Sequence, residues 1–168
     1  QQPTSEPSPR TMTPSGNFLV MQSGGPTPVI NRSLFGVFDE ARKQTGPRVL
    51  GAVNGIDGLL EDRIVDLREI SRDRWGRIAR TPAAALGSTR RSLKDEDVPS
   101  LIEALNRHGV RYCHIIGGND SAENGHRIDV EARAKGYELA VVNVPKTVDN
   151  DLLLTDHCPG YGSAARFI

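Results

Sequence analysis

The segment VPKTVDND, residues 144–151, places a lysine, a threonine, two aspartates and an asparagine directly after an apolar run. A strand that simply ended in a loop would not need so many charged and hydrogen-bonding groups. If the segment stays extended, Asp149 and Asp151 point the same way, because alternate residues of a strand share a face. That arrangement suits a general base beside a metal-linked carboxylate, with Lys146 supplying positive charge. The alternative is a solvated turn rich in aspartate and asparagine.

A second polar turn, SGGPT at residues 23–27, follows an apolar run near the start of the chain. Gly24 and Gly25 allow the backbone to approach a ligand closely. Pro26 can open the next helix, whose free N–H groups and dipole favour an anion. The turn therefore suits phosphate, although two glycines before a helix are often only a tight turn.

A third turn, GGNDS at residues 117–121, has the same arrangement of glycines after an apolar run. Gly118 again allows close backbone approach, Asn119 and Asp120 lie at the tip, and Ser121 can cap the next helix. A capped helix start with no ligand is the alternative.

A fourth candidate is LGSTRR at residues 86–91. The planar guanidinium of Arg90 or Arg91 can donate two hydrogen bonds to phosphate oxygens. The alternative is a surface pair of arginines without a ligand.

Apolar runs and helical spacings predict the elements that hold these turns. Strands are expected at 17–23, 48–55, 62–67, 110–116 and 138–144, the last two buried. One helix is expected from apolar residues at helical spacing between Ile30 and Ala41 and should end near Gly46. A second is expected from Val98, Leu101, Ile102 and Leu105 and should be ended by Gly109, and a third runs from the GGNDS turn to Lys135. The alternation predicts an α/β fold, a Rossmann-like parallel sheet with helices on both faces. The arginine-rich segment 69–80 around Trp75 receives no element, and the arginines of SRDRWGRIAR within it are interpreted as a solvated or subunit-facing stretch.

The turns at 23–27, 117–121 and 145–151 each follow a predicted strand immediately. In an open parallel sheet, functional groups gather beyond the carboxyl ends of the strands. We therefore expect the turns 23–27, 117–121 and 145–151 to meet at one edge of the sheet. Three phosphate-compatible turns in one place are stronger evidence than any one of them.

Composition narrows the classes of function. The 168 residues contain 21 Lys+Arg and 21 Asp+Glu, so no global basic field indicates nucleic acid, and no apolar run is long enough for a membrane span. Two cysteines without ligand spacing, Cys113 and Cys158, favour a reducing cytoplasm over a zinc or disulfide framework. Residues 1–16, rich in Pro, Ser and Thr, are predicted to be a disordered tail before an α/β domain at 17–168.

The motifs SGGPTPVINRS, LGSTR, GGNDS, VPKTVDND and PGYGSAARF, in this order, resemble the phosphofructokinase family, and most closely its pyrophosphate-dependent branch. The resemblance runs from about Phe18 to Ile168. It implies a Rossmann-like fold and phosphorylation of fructose 6-phosphate at its 1-hydroxyl. It also implies Mg²⁺ and a homo-oligomer, dimer or tetramer, of the full-length protein.

Residue by residue, the resemblance implies that Asp149 is the base that takes the proton of the sugar hydroxyl, and that Thr147 contacts the sugar. Asp151 matches an aspartate near the magnesium ion. Gly24 and Arg90 match positions that contact the phosphoryl donor.

Two residues bear on the identity of the donor. ATP-using relatives have glycine where this chain has Asp120 and Lys146. A carboxylate at Asp120 places volume and negative charge where the α-phosphate of ATP would lie, and Lys146 can stabilise charge on the transferring or leaving phosphate. Both residues favour pyrophosphate over ATP.

The sequence departs from the family at two points. Asn119 stands where many relatives have a magnesium-binding aspartate, so it should bind Mg²⁺ more weakly. The second half of the family's fold is absent, so the chain resembles the donor-side half of a longer protein. The alternatives are an ATP-dependent 6-phosphofructokinase and a non-catalytic subunit that senses phosphate or nucleotide.

Overall fold

The computed structural model describes residues 15–150 and 154–168; the predicted tail falls mostly outside this range, as does Asp151. The strands are β1 (Asn17–Gln22), β2 (Val49–Ala52), β3 (Ile64–Asp66), β4 (Val110–Gly117) and β5 (Ala140–Pro145). The helices are α1 (Ile30–Ala41), α2 (Gly55–Leu60), α3 (Arg72–Ile78), α4 (Val98–Arg107), α5 (Asn119–Ala134) and α6 (Tyr161–Phe167), with a 3₁₀ turn at Leu67–Glu69.

The five strands form one sheet in the order β3-β2-β1-β4-β5. β1 pairs in parallel with β2 on one side and with β4 on the other, and β4 pairs in parallel with β5. The chain therefore builds the sheet outward from β1 in both directions. The carboxyl ends of β1 and β4 flank the point where the strand order reverses, which is where ligands bind in open α/β sheets.

Alternate residues of β1 face two separate hydrophobic cores. Leu19 and Met21 pack with residues of α2, α4 and α5, whereas Val20 packs with residues of α1 and α3. Helices thus cover both faces of the sheet, which confirms the predicted α/β class. No helix within the described residues has an apolar stretch long enough to span a membrane.

The arginine-rich segment contains a buried anchor. Trp75 of α3 is 3% exposed and stacks on Phe38 of α1, with ring centroids 4.3 Å apart. Its indole N–H donates to the carbonyl of Leu67 at 3.3 Å. The arginines of α3 therefore belong to a helix that packs on the core through its tryptophan.

Several local predictions were wrong. The short strand β3 runs antiparallel to β2, so the sheet is mixed at this edge. The strand at 138–144 was predicted to be buried, but Val142 of β5 is 44% exposed, because β5 is the edge strand of the described sheet. The helix after the SGGPT turn begins at Ile30 and not at Pro26, since residues 26–29 form a separate loop.

Candidate active site

A cavity of about 390 Å³ lies beyond the carboxyl ends of β1, β4 and β5. The predicted turns do meet there, and the loop after Leu86 closes the remaining side. The cavity is lined by Ser23, Gly24, Gly25, Thr89, Arg90, Arg91, Ser92, Gly118, Asn119, Asp120, Ser121, Asn124, Lys146, Thr147 and Asp149.

The turn after β1 is held in place by hydrogen bonds with residues outside it. The amide of Gly24 donates to the carbonyl of Thr89 at 2.8 Å, and the Ser88 hydroxyl donates to the carbonyl of Gly24 at 2.5 Å. The Lys146 ammonium donates to the carbonyl of Gly25 at 2.6 Å. Gly24 has φ +76°, and a Cβ there would lie 3.1 Å from the Lys146 Nζ, so both backbone and space favour glycine.

Lys146 is the buried cation of the cavity. It is 7% exposed, and its backbone amide donates to the carbonyl of Gly117 at 3.2 Å, which ties the residue after β5 to the end of β4. Burial, and then repulsion from Arg90, lower the pKa of Lys146 from 10.5, while Asp149 acts in the opposite direction. One ammonium N–H is used on Gly25, which leaves the others for a ligand.

The two arginines of LGSTRR have different environments. The Arg91 guanidinium donates to Asp57 at 3.1 Å and to Asp97 at 2.7 Å, so its charge is already paired. Arg90 forms no ion pair within residues 15–150 and 154–168 and lies against Gly25. Arg90 is therefore the arginine that can bind an anion in the cavity.

The turn after β4 is the first turn of α5. Gly118 is the N-cap, and Asn119, Asp120 and Ser121 are the first three helical residues. The prediction that Ser121 caps this helix was therefore wrong. Ser121 is buried, and a Cβ at Gly117 would lie 2.2 Å from the serine Oγ, so glycine is required beside it; the N-cap Gly118 stands three residues before the predicted cap.

The segment after Lys146 turns and does not stay extended. The amide of Asp149 donates to the Thr147 hydroxyl at 3.2 Å, and Asn150 has a left-handed φ of +55°. The Asn150 side chain accepts from the amide of Cys158 at 2.7 Å. Thr147 and Asp149 both line the cavity. The expectation that Asp149 and Asp151 point the same way assumed an extended segment, and that assumption was wrong; Asp151 itself lies outside the described residues.

The chain, with these cations, glycine turns and carboxylates, also matches a known protein family. The family model described as phosphofructokinase matches residues 17–168. The chain belongs to the phosphofructokinase family.

Individual phosphofructokinase relatives agree with this assignment. The chain is 40% identical over 154 residues to a pyrophosphate--fructose 6-phosphate 1-phosphotransferase of Rhodospirillum rubrum, covering 91% of this chain and 38% of the relative. It is 44% identical over 158 residues to a protein of the same name from Xanthomonas campestris, with the same coverage. The chain thus spans 38% of the length of these curated relatives.

A solved phosphofructokinase has the same fold. The crystal structure of pyrophosphate-dependent phosphofructokinase from Nitrosospira multiformis matches with a TM-score of 0.84 and 39% identity, covering 90% of this chain and 39% of that one. The described part of the chain therefore has the fold of a solved member of the family.

The cavity of this phosphofructokinase chain is lined by hard oxygen donors. Carboxylates of Asp120 and Asp149, the Asn119 amide and several hydroxyls line it, and its lining contains no cysteine or histidine. Among the described residues, no three or more His, Cys, Asp or Glu side chains are grouped to hold a metal ion. This donor set fits Mg²⁺ held by one or two carboxylates, water and phosphate oxygens, and does not form a protein cage.

Some cavity residues were missed in the sequence. Ser23, Ser92 and Asn124 line the cavity, and Thr89 connects it to α2. Thr89 lies inside the LGSTRR motif, and its position beside Arg90 was the signal that could have identified it. Asp57, which accepts the hydrogen bond of Thr89, lies in a segment with no motif. It could not be identified from the sequence, because its role depends on a contact with a residue 32 positions away.

Proposed function

We propose that the full-length protein transfers a phosphoryl group from pyrophosphate to the 1-hydroxyl of fructose 6-phosphate, giving fructose 1,6-bisphosphate. The observation that carries this proposal is the cavity in which the buried Lys146 and Arg90, which has no ion pair among the described residues, converge on the Gly24–Gly25 turn. The family assignment and the names of the relatives support the same reaction.

The donor end of the cavity is suited to a compact, highly charged anion. Lys146 and Arg90 supply two positive charges, and Gly25 and Gly118 allow the backbone close to the ligand. Asp120, in the first turn of α5, occupies volume and adds negative charge that disfavour the longer phosphate chain of ATP. Phosphoryl transfer depends mainly on such positioning and charge neutralisation.

The acceptor end is assigned to Thr147 and Asp149. Asp149 takes the proton from the sugar 1-hydroxyl while the hydroxyl oxygen forms its bond to the transferring phosphorus. The bond from that phosphorus to the bridging oxygen of pyrophosphate breaks, and inorganic phosphate leaves. Lys146 and Arg90 stabilise the charge that develops on the leaving phosphate. Thr147 orients the sugar, and its hydroxyl also fixes the turn that carries Asp149.

Mg²⁺ would be held at the cavity by Asp120 and, more weakly, by the Asn119 amide, together with donor oxygens. Asp151 is a further candidate ligand from the family resemblance. When bound, the ion neutralises charge on the phosphate oxygens.

We further propose a place for the reaction in glycolysis, in the cytoplasm. Cys113 and Cys158 are free, buried thiols, which fit a reducing compartment. A homo-oligomer is proposed for the full-length protein, in line with the family resemblance.

The experiment is a side-by-side donor assay. Full-length protein is incubated with fructose 6-phosphate, Mg²⁺ and either pyrophosphate or ATP, and fructose 1,6-bisphosphate is measured. Product with pyrophosphate and little with ATP supports the proposal. Preference for ATP would favour an ATP-dependent kinase, and no product with either donor would favour a sensing subunit; each result would overturn the proposal.

A further inference from the structure

We propose that Asp57 is a positioning residue of the phosphoryl-donor site, which acts through both chain neighbours of Arg90. The inference rests on the proposed function only in taking pyrophosphate as the ligand. Asp57 belongs to α2, whose six residues carry no motif, and it does not line the cavity. Its contacts nevertheless connect α2 to the loop that closes the cavity.

The two oxygens of Asp57 bind the residues on either side of Arg90. The Thr89 hydroxyl donates to one oxygen at 2.5 Å, and the Arg91 guanidinium donates to the other at 3.1 Å. The backbone amide of Arg91 also donates to the Thr89 hydroxyl at 3.0 Å. One carboxylate therefore restrains the backbone immediately before and immediately after Arg90.

The restraint extends from Arg91 to α4. The Arg91 guanidinium donates to Asp97 at 2.7 Å, and Asp97 is the residue before the first turn of α4. Arg91 thus bridges carboxylates from two elements. The hydrogen bond that Arg91 donates to Asp57 is also the main cause that raises the pKa of Arg91, so the guanidinium stays charged.

The restraint also reaches the glycine turn. Thr89 is 8% exposed, and its carbonyl accepts from the amide of Gly24 at 2.8 Å. A displacement of Thr89 would therefore move both the Gly24 turn and the base of the Arg90 side chain. These two groups face the same ligand, so their relative position sets how well a small anion is bound.

The substitution Asp57→Asn tests this inference. Asparagine keeps the shape and one acceptor for Thr89 but removes the charge that holds Arg91. Asp39→Asn is the matched control, since Asp39 pairs with Arg42 at 2.6 Å on the exposed side of α1, outside the cavity lining. Pyrophosphate binding to full-length protein is measured by calorimetry at fixed Mg²⁺, and the KM values for pyrophosphate and fructose 6-phosphate are measured separately.

We expect Asp57→Asn to raise the pyrophosphate Kd and KM about tenfold, with the fructose 6-phosphate KM unchanged. Asp39→Asn should leave all three constants unchanged. If Asp57→Asn lowers the melting temperature but leaves the pyrophosphate Kd unchanged, Asp57 is only structural and the inference is wrong. If wild-type protein itself does not bind pyrophosphate, the proposed function fails first, and this is visible before any variant is compared.

A second pair of variants covers the case in which Asp57→Asn does not fold. Thr89→Val removes the hydroxyl that links Asp57 to Arg91, and Thr89→Ser retains it. We expect Thr89→Val to weaken pyrophosphate binding and Thr89→Ser to restore it. Equal affinity in the two variants would overturn the inference, since only the hydroxyl contact with Asp57 distinguishes this role from simple packing.

Discussion

Lys146 combines a buried position with a positive charge at the donor end of the cavity. Burial lowers its pKa from 10.5 because water no longer solvates the ammonium fully. The neighbouring Arg90 acts in the same direction. The protonated form is nevertheless the one that can stabilise a phosphate, so the residue is most useful at pH values below its lowered pKa.

This gives a prediction for the pH dependence of catalysis. As pH rises through the lowered pKa, Lys146 loses its proton, so kcat/KM for pyrophosphate should fall at a pH below 10.5. Lys146→Arg keeps the charge and should move this decline to higher pH. Lys43→Arg, at an exposed ion pair with Glu40, is the control and should leave the profile unchanged. An identical alkaline decline in wild type and Lys146→Arg would contradict the assignment.

Asp149 is assigned as the base, and its removal should affect turnover more than donor binding. We expect Asp149→Asn to lower kcat about 10²- to 10⁴-fold, the usual contribution of a general base. The pyrophosphate Kd should change little. The exposed Asp156, outside the cavity lining, provides the matched control Asp156→Asn, which should retain wild-type kcat. A kcat for Asp149→Asn within a small factor of wild type would exclude this residue as the base.

Asn119 gives a separate prediction about the metal. A carboxylate binds Mg²⁺ more strongly than an amide, so Asn119→Asp should lower the Mg²⁺ concentration needed for half-maximal activity. The measurement is a Mg²⁺ titration at saturating pyrophosphate and fructose 6-phosphate. Unchanged dependence on Mg²⁺ would count against any metal role for residue 119.

At the scale of elements, α3 is held by one aromatic side chain. Trp75 stacks on Phe38 and is nearly inaccessible, so Trp75→Ala should lower the free energy of unfolding by about 3–5 kcal/mol. Trp75→Phe keeps an aromatic ring and should cost less. Urea unfolding followed by circular dichroism measures both without relying on the indole. A loss below about 1 kcal/mol for Trp75→Ala would show that the stack contributes little.

The elements whose signals are local were predictable from the sequence. The continuous apolar run at 110–116 predicted β4. Apolar residues at helical spacing predicted α4, and Gly109, whose φ is +60°, marked its end. The start of α5 was misplaced because its N-cap is Gly118 without a side-chain cap, whereas the sequence pattern favours a serine cap at Ser121.

The candidate site divides in the same way. Gly24, Asp120 and Lys146 were identified from motifs, and all three line one cavity. The spacing in LGSTRR left Arg90 and Arg91 open, and only the family resemblance pointed to Arg90. The physical distinction depends on where α2 and α4 place Asp57 and Asp97, which pair with Arg91. The exposure of β5 was also missed, since an apolar run reads the same at the edge and in the middle of a sheet.

At the scale of the whole molecule, charge is localised and not global. Lys+Arg and Asp+Glu balance over the chain, yet Lys146 and Arg90 lie together at the reversal of strand order. The fold thus concentrates positive charge where a phosphate is expected, and the first turn of α5 adds Asp120 at the same place. We propose that this balance of charge and volume determines the choice of phosphoryl donor.

The most direct test of this account is the ratio of kcat/KM for pyrophosphate to kcat/KM for ATP, measured on full-length wild type and on the double variant Asp120→Gly, Lys146→Gly. We predict that wild type prefers pyrophosphate and that the double variant loses pyrophosphate use about 10²-fold or more while gaining activity with ATP. A double variant that folds, binds fructose 6-phosphate and shows no gain with ATP would contradict the account.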